Sequence, residues 1–151
     1  TDPARNHCMT LIIAVGNPQR GDDGAAAELC RALSPGPWTV LETLELTPEM
    51  AETISGASLV MIADADYRAG EPALRRVVGN ESHPTPLTHS LSPAGLIAAA
   101  QSLFGFCGEA WLLSIPGEDF GLGHPISATA RTNIESAAIL VRALLSAGRA
   151  G

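Results

Sequence analysis

Leu11-Ile12-Ile13-Ala14-Val15-Gly16-Asn17-Pro18-Gln19-Arg20-Gly21-Asp22-Asp23-Gly24 is the stretch whose reading decides the fold. Its first five residues are wholly apolar, as in a short strand buried on both faces, and Gly16 closes the run. Residues 22–33 then predict a helix, with Asp22 as N-cap and Ala25, Leu29, Ala32 and Leu33 at helical spacing. A doubly buried strand that turns through glycines into a helix opens an α/β sheet.

The alternation continues along the chain. Residues 39–44 and the apolar run 59–63 predict strands, as do residues 74–78 and 111–115. Thr47-Pro48 predicts an N-cap and first helical residue for a short helix to Ile54. Ser92-Pro93 repeats that signature for a helix to about Phe104, stopped by Gly105. Residues 80–91, polar and proline-bearing, read as a loop. Ser127 caps a last helix over 128–146, with Ile134, Ala138, Val141 and Leu145 on one face. The expected fold class is α/β: a single three-layer αβα sandwich with a mainly parallel, twisted sheet. Ligands in such sheets sit beyond the carboxyl ends of the strands, near a topological switch point.

Length and composition narrow the function. A chain of 151 residues suits one domain, which buries roughly two-thirds of its unfolded surface. The expected division is an N-terminal extension over 1–9, polar and without the order of a signal peptide, and one domain over 10–151. All nine basic residues are Arg and are scattered, while the net charge is −7. Nucleic acid and anionic membranes are therefore poor partners. No apolar run approaches the ~18–20 residues of a membrane span. Cys8, Cys30 and Cys107 are odd in number and far apart, which fits a reducing cytoplasm better than a disulfide framework. Oligomeric state leaves no signature.

Three groups of residues could carry chemistry. The spacing Gly16-x4-Gly21 copies the start of a phosphate-binding loop, but Asp22 and Asp23 stand where Lys and Ser/Thr are needed and would repel phosphate. A nucleotide-binding domain is thereby disfavoured. Asp22 has a structural duty as N-cap, whose loss costs about 0.5–2 kcal/mol. Asp23 has no capping duty, and its role stays open at this point. Asp64-Ala65-Asp66 ends an apolar strand, with both carboxylates on one side if the strand continues; an Asx-turn is the bland alternative. Among the histidines, His7 lies in the extension, and His83 and His124 precede prolines in loops. His89 sits just before a predicted helix. Asp23, Asp64 and His89 all occupy loop positions that could converge at one sheet edge. Two carboxylates and one imidazole form a borderline divalent-metal site with open positions.

These residues resemble a known family. Strand-Gly16-Asn17-x4-Asp22-Asp23-Gly24, an apolar strand ending Ala63-Asp64-Ala65, and His89 before a Leu-bearing helix resemble the nickel-iron hydrogenase maturation proteases. The resemblance runs from about Leu11 to Leu145 and includes Leu46-Thr47-Pro48-Glu49. It implies an endopeptidase that removes the C-terminal extension of a hydrogenase large-subunit precursor after nickel insertion. The nickel carried by the substrate would serve as the recognition element, and another divalent metal could occupy the isolated protein. Carried over, the metal-contacting and catalytic residues are Asp23, Asp64 and His89. Gly16, Asn17, Asp22, Gly24 and Asp66 support them, with Asp66 a candidate base. Ala26 replaces a second glycine found in many members, and Glu45-Leu46 stands where some have Gln-Leu. The alternative reading is a nickel-dependent docking or chaperone module that binds the large subunit without cutting it.

Overall fold

The computed structural model describes residues 9–68, 70–79 and 91–150. Its five-stranded sheet has the order β2-β1-β3-β5-β4, with β1 Met9–Val15, β2 Thr39–Thr43, β3 Ala57–Asp66, β4 Ala73–Arg76 and β5 Glu109–Pro116. β2, β1, β3 and β5 are mutually parallel, and β4 runs antiparallel along the outer edge of β5. The mainly parallel αβα sandwich expected from the sequence is what forms.

Each face of the sheet is covered by a helix pair. α1 (Ala25–Leu33) and α4 (Ala128–Ala150) pack on Ile12, Ala14, Met61, Ala63 and Leu113. α2 (Met50–Ser55) and α3 (Pro93–Phe104) pack on Leu11, Ile13, Val60 and Ile62. Successive strand residues alternate between the two cores because their side chains alternate across the pleat. Burial on both faces is why β1 and β3 read as unbroken apolar runs.

Caps define several helix ends. The Ser92 hydroxyl accepts from Gly95 N at 3.0 Å, and Gly105 closes α3 with φ 72°. The Ser127 hydroxyl accepts from Ala130 N at 3.1 Å. Three boundaries differ from the sequence reading. β1 starts at Met9, one residue before the expected domain start at Thr10. Gly21–Gly24 forms a 3-10 turn, so α1 begins only at Ala25, and Asp22 makes no cap bond to its own helix. Thr47 and Pro48 do not open α2: their carbonyls accept from Met50 N and Ala51 N in a turn, and Glu49 takes the N-cap position. His89 and most of the predicted 80–91 loop lie outside the described residues.

The strand order places a switch point between β1 and β3. From β1 the chain moves outward to β2, then returns across β1 to β3. The carboxyl ends of β1 and β3 lie side by side there, with Val15 in register with Asp64. Brändén-type crevices open at this position.

Candidate functional site

Four loops meet at that sheet edge: those following β1, β2, β3 and β5. The β1 loop is shaped by Gly16, whose φ of 138° favours glycine and whose missing Cβ would stand 2.0 Å from the Asp23 carbonyl oxygen. This close approach folds the loop back, so that Asn17 N donates to Asp23 Oδ2 at 2.7 Å. The Asn17 side chain in turn accepts from Gln19 N at 2.9 Å. Gly24 stands against Pro18, where a Cβ would come within 3.1 Å of its Cα. Asp23 is thereby held over the end of β1 with one carboxylate oxygen bonded to the loop. Gly16→Ala is expected to cost about 1–3 kcal/mol from backbone strain alone, before the steric clash is added. Thermal denaturation measures this, and an unchanged midpoint would mean that the turn opens without penalty.

Asp64 reaches the same place from β3. By strand alternation it lies on the side of Val60 and Ile62, the face covered by α2 and α3. Burial pushes its carboxyl up to about 6, and the negative charge of Asp23 adds to the rise. A backbone hydrogen bond at Ala65 opposes these effects, and Asp66 contributes further repulsion. Asp23 and Asp64 thus form a like-charge pair at the crevice, which a cation would relieve. Among the described residues no group of three or more His, Cys, Asp or Glu comes together for a metal.

Asp66, at the end of β3, accepts from Arg68 N at 2.9 Å, and the Arg68 guanidinium lies 3.6 Å from the same oxygen. The Asx-turn weighed for this Asp-x-Asp segment therefore belongs to Asp66.

Asp22 has the most elaborate environment of the group. It is fully buried, with 0% exposure. Oδ2 accepts from Glu118 N at 2.8 Å, Asp119 N at 3.0 Å and the Ser127 hydroxyl at 2.7 Å. Oδ1 accepts from Ser127 N at 2.7 Å. Burial alone would raise its carboxyl, but these bonds outweigh burial and hold it below the usual value. The side chain ties the β1 loop to the loop after β5 and to the start of α4, instead of capping α1.

The loop after β5 supplies a pair that the sequence reading left unassembled. The His124 ring nitrogen Nδ1 lies 2.9 and 3.0 Å from the two Asp119 carboxylate oxygens. Asp119 Oδ1 also accepts from Gly121 N at 3.0 Å, and the Asp119 carbonyl accepts from Asp22 N at 2.7 Å. The only sequence signal for this pair is the short Asp119-x4-His124 spacing within a glycine-rich loop.

A cavity of about 180 Å³ opens beside Asp23, between the ends of β1 and β2 and the start of α1. Among the described residues, no helix is long and apolar enough to cross a membrane.

No protein-family model and no curated protein matches the chain. Solved structures do match its fold. The hydrogenase maturating endopeptidase HybD from E. coli superposes with a TM-score of 0.72 at 21% identity, covering 93% of each chain. The NiFe hydrogenase maturation protease HycI from Thermococcus kodakarensis KOD1 gives 0.70 at 19% identity, over 91% of this chain and 92% of its own. A hydrogenase 2 maturation peptidase from a Thaumarchaeota archaeon gives 0.67 at 19%, over 91% of this chain and 98% of its own. The chain has the fold of these hydrogenase maturation proteases over nearly its whole length.

Proposed function

We propose that this chain is an endopeptidase that removes the C-terminal extension of a nickel-iron hydrogenase large-subunit precursor once nickel is in place. The observation that carries the reading is the meeting of Asp23 and Asp64 at the β1/β3 switch point of a maturation-protease fold. A half-buried like-charge pair is costly to keep, and a cation presented by a partner offsets that cost. An empty precursor brings no cation, so it gains nothing from the pair and docks poorly.

In this reading nickel belongs to the substrate, and Asp23, Asp64 and His89 contact it. Leu91, two residues after His89 in sequence, is held at the α2–α3 face by its N–H bond to the Leu46 carbonyl at 3.1 Å. Asp64 turns toward that same face, which supports His89 as the third contact. A metal here orients the scissile carbonyl, polarises its oxygen or activates a water. The protein's own share is positional. Asn17 N fixes Asp23, the β3 backbone fixes Asp64, and Asp22 locks the surrounding loops. The cytoplasmic location expected from the odd number and wide spacing of the cysteines belongs to this proposal.

The test is the intact mass of a large-subunit precursor after incubation with this protein, with and without prior nickel loading. A defined C-terminal loss in the loaded sample alone is the expected result. Stable association with the loaded precursor and no mass change would replace the protease with a docking module. His89→Ala is expected to abolish the mass change with an unaltered thermal midpoint, and full activity in that variant would remove His89 from the site.

A further inference from the structure

Tyr67 is the chain's only tyrosine, and it stands 71% exposed three residues after Asp64. A side chain so exposed ordinarily hops between rotamers, but this ring is held by two neighbours. The Arg68 guanidinium carbon lies 5.4 Å from its centroid, within cation–π range. Arg68 is itself tied down by Asp66, whose Oδ1 lies 3.6 Å from Nε and accepts from Arg68 N at 2.9 Å. The second neighbour is Phe120, whose ring meets Tyr67 edge-on with centroids 6.4 Å apart and planes at 81°.

Phe120 is fixed in turn. β3 and β5 stay paired to their ends, with Asp66 in register with Pro116, and Gly117 N donates to the Asp66 carbonyl at 3.3 Å. Gly117 leaves room for the Phe120 ring, since a Cβ there would stand 3.0 Å from its Cζ. Hydrogen bonds bracket the residue. Asp22 accepts from Glu118 N and Asp119 N before it, and Asp119 Oδ1 accepts from Gly121 N after it. The His124 ring, 2.9 Å from the same Oδ1, closes that turn. The Asp119–His124 pair thus has a mechanical use: it holds the turn that presents Phe120.

A preorganised tyrosine with an arginine on its ring has the composition of an interface hot spot, because little side-chain freedom is left to lose on binding. What covers it follows from the neighbouring carboxylates. A metal carried inside a partner reaches Asp64 only when the partner's surface closes over the end of β3. Three extended residues span at most about 11 Å, so Tyr67 lies under that surface. Leu44, 68% exposed, follows β2 on the far side of β1 and serves as the contrast.

We propose that Tyr67, clamped by Arg68 and Phe120, is the docking anchor for the folded body of the metal-bearing precursor, which leans to the β3/β5 side of the site. The anchor rests on the proteolytic reading and adds where the partner's body lies.

Association and cleavage are measured together on a nickel-loaded large-subunit precursor. Tyr67→Ala is expected to weaken association and raise KM by about 30-fold, with kcat within about twofold of wild type, the pattern of uniform binding lost at a hot spot. Tyr67→Phe is expected to keep KM within about threefold, since the ring and not the hydroxyl makes the contact. Arg68→Ala frees the ring and is expected to raise KM by about 3–10-fold, which keeps the test decisive should Tyr67→Ala fold poorly. Leu44→Ser is expected to leave KM unchanged. Unchanged association in Tyr67→Ala, or a loss as large in Tyr67→Phe or Leu44→Ser, overturns the anchor and leaves the proteolytic reading standing. A wild-type protein that binds the loaded precursor without cutting it overturns the proteolytic reading, and the association constants of the same variants then decide the anchor. Neither binding nor cutting overturns both.

Discussion

Asp22→Ala is expected to lower the thermal midpoint by about 10 °C, the effect of losing about 3–5 kcal/mol in a chain of this size. The sequence alone suggests a lost N-cap worth about 0.5–2 kcal/mol. The structure makes the residue the acceptor for three backbone amides and one hydroxyl in a site without solvent exposure. Removing the carboxylate strands those donors, and each unsatisfied buried group costs about 1–3 kcal/mol. Partial relaxation and entering water keep the total below the simple sum. Asp22→Asn is expected to fall nearly as far, because its amide nitrogen faces a donor. The pH dependence has a definite sign. The hydrogen bonds hold the folded carboxyl below its ordinary value of 3.8, so its stabilisation is present above that pH and lost as pH falls through the lower folded value. The gap between wild type and Asp22→Asn should therefore narrow below about pH 3.8. Chemical denaturation across pH 2–7 measures the gap, and a difference under about 1 kcal/mol at pH 7 would reduce Asp22 to an ordinary surface cap.

What the sequence could and could not reveal follows from the range of each interaction. β1 and β3 were legible because burial on both faces demands apolar residues at every position. α3 was legible because Ser92, Pro93 and Gly105 act within a few residues of their partners. The role of Asp22 was not, since its partners Glu118 and Ser127 lie 96 and 105 residues away. An aspartate at a helix start looks the same whether it caps that helix or crosses to another loop. The direction of β4 was equally hidden, because Ala73–Arg76 is short and carries no marker of antiparallel pairing. Asp23 and Asp64 were selected from strand-end placement, and register then brings their strands together at Val15 and Asp64. Asp119 and His124 were not paired, since a loop spacing of five residues fixes no geometry without the bonds from Asp22 and Gly121.

Asp64→Asn is expected to move stability and activity in opposite directions. Burial and the neighbouring Asp23 charge raise its folded pKa from 3.8 to about 6, so the folded protein holds this proton more tightly than the unfolded chain does. The favourable contribution is complete below about pH 3.8 and is lost as pH rises through about 6. At neutral pH the ionised carboxylate is thus a standing cost. The full shift converts to about 3 kcal/mol, and solvent screening of a half-buried group brings it to about 1–2 kcal/mol. Asparagine keeps the size and removes the charge, so the variant should be more stable than wild type at pH 7 and no more stable at pH 3.5. EDTA in both samples excludes stabilisation by stray cations. Cleavage of the nickel-loaded precursor should fall by about 100-fold or more, since even partners one shell removed from a metal are worth about 10–100-fold. Asp23→Asn should lower cleavage similarly and, by removing the repelling charge, bring the Asp64 titration down toward its ordinary value. A stabilised variant that still cuts would mean that the pair is strained for some purpose other than reading the metal. A variant that loses both stability and cleavage would show that Asp64 is held by favourable contacts, and the cost assigned to its charge would then be wrong.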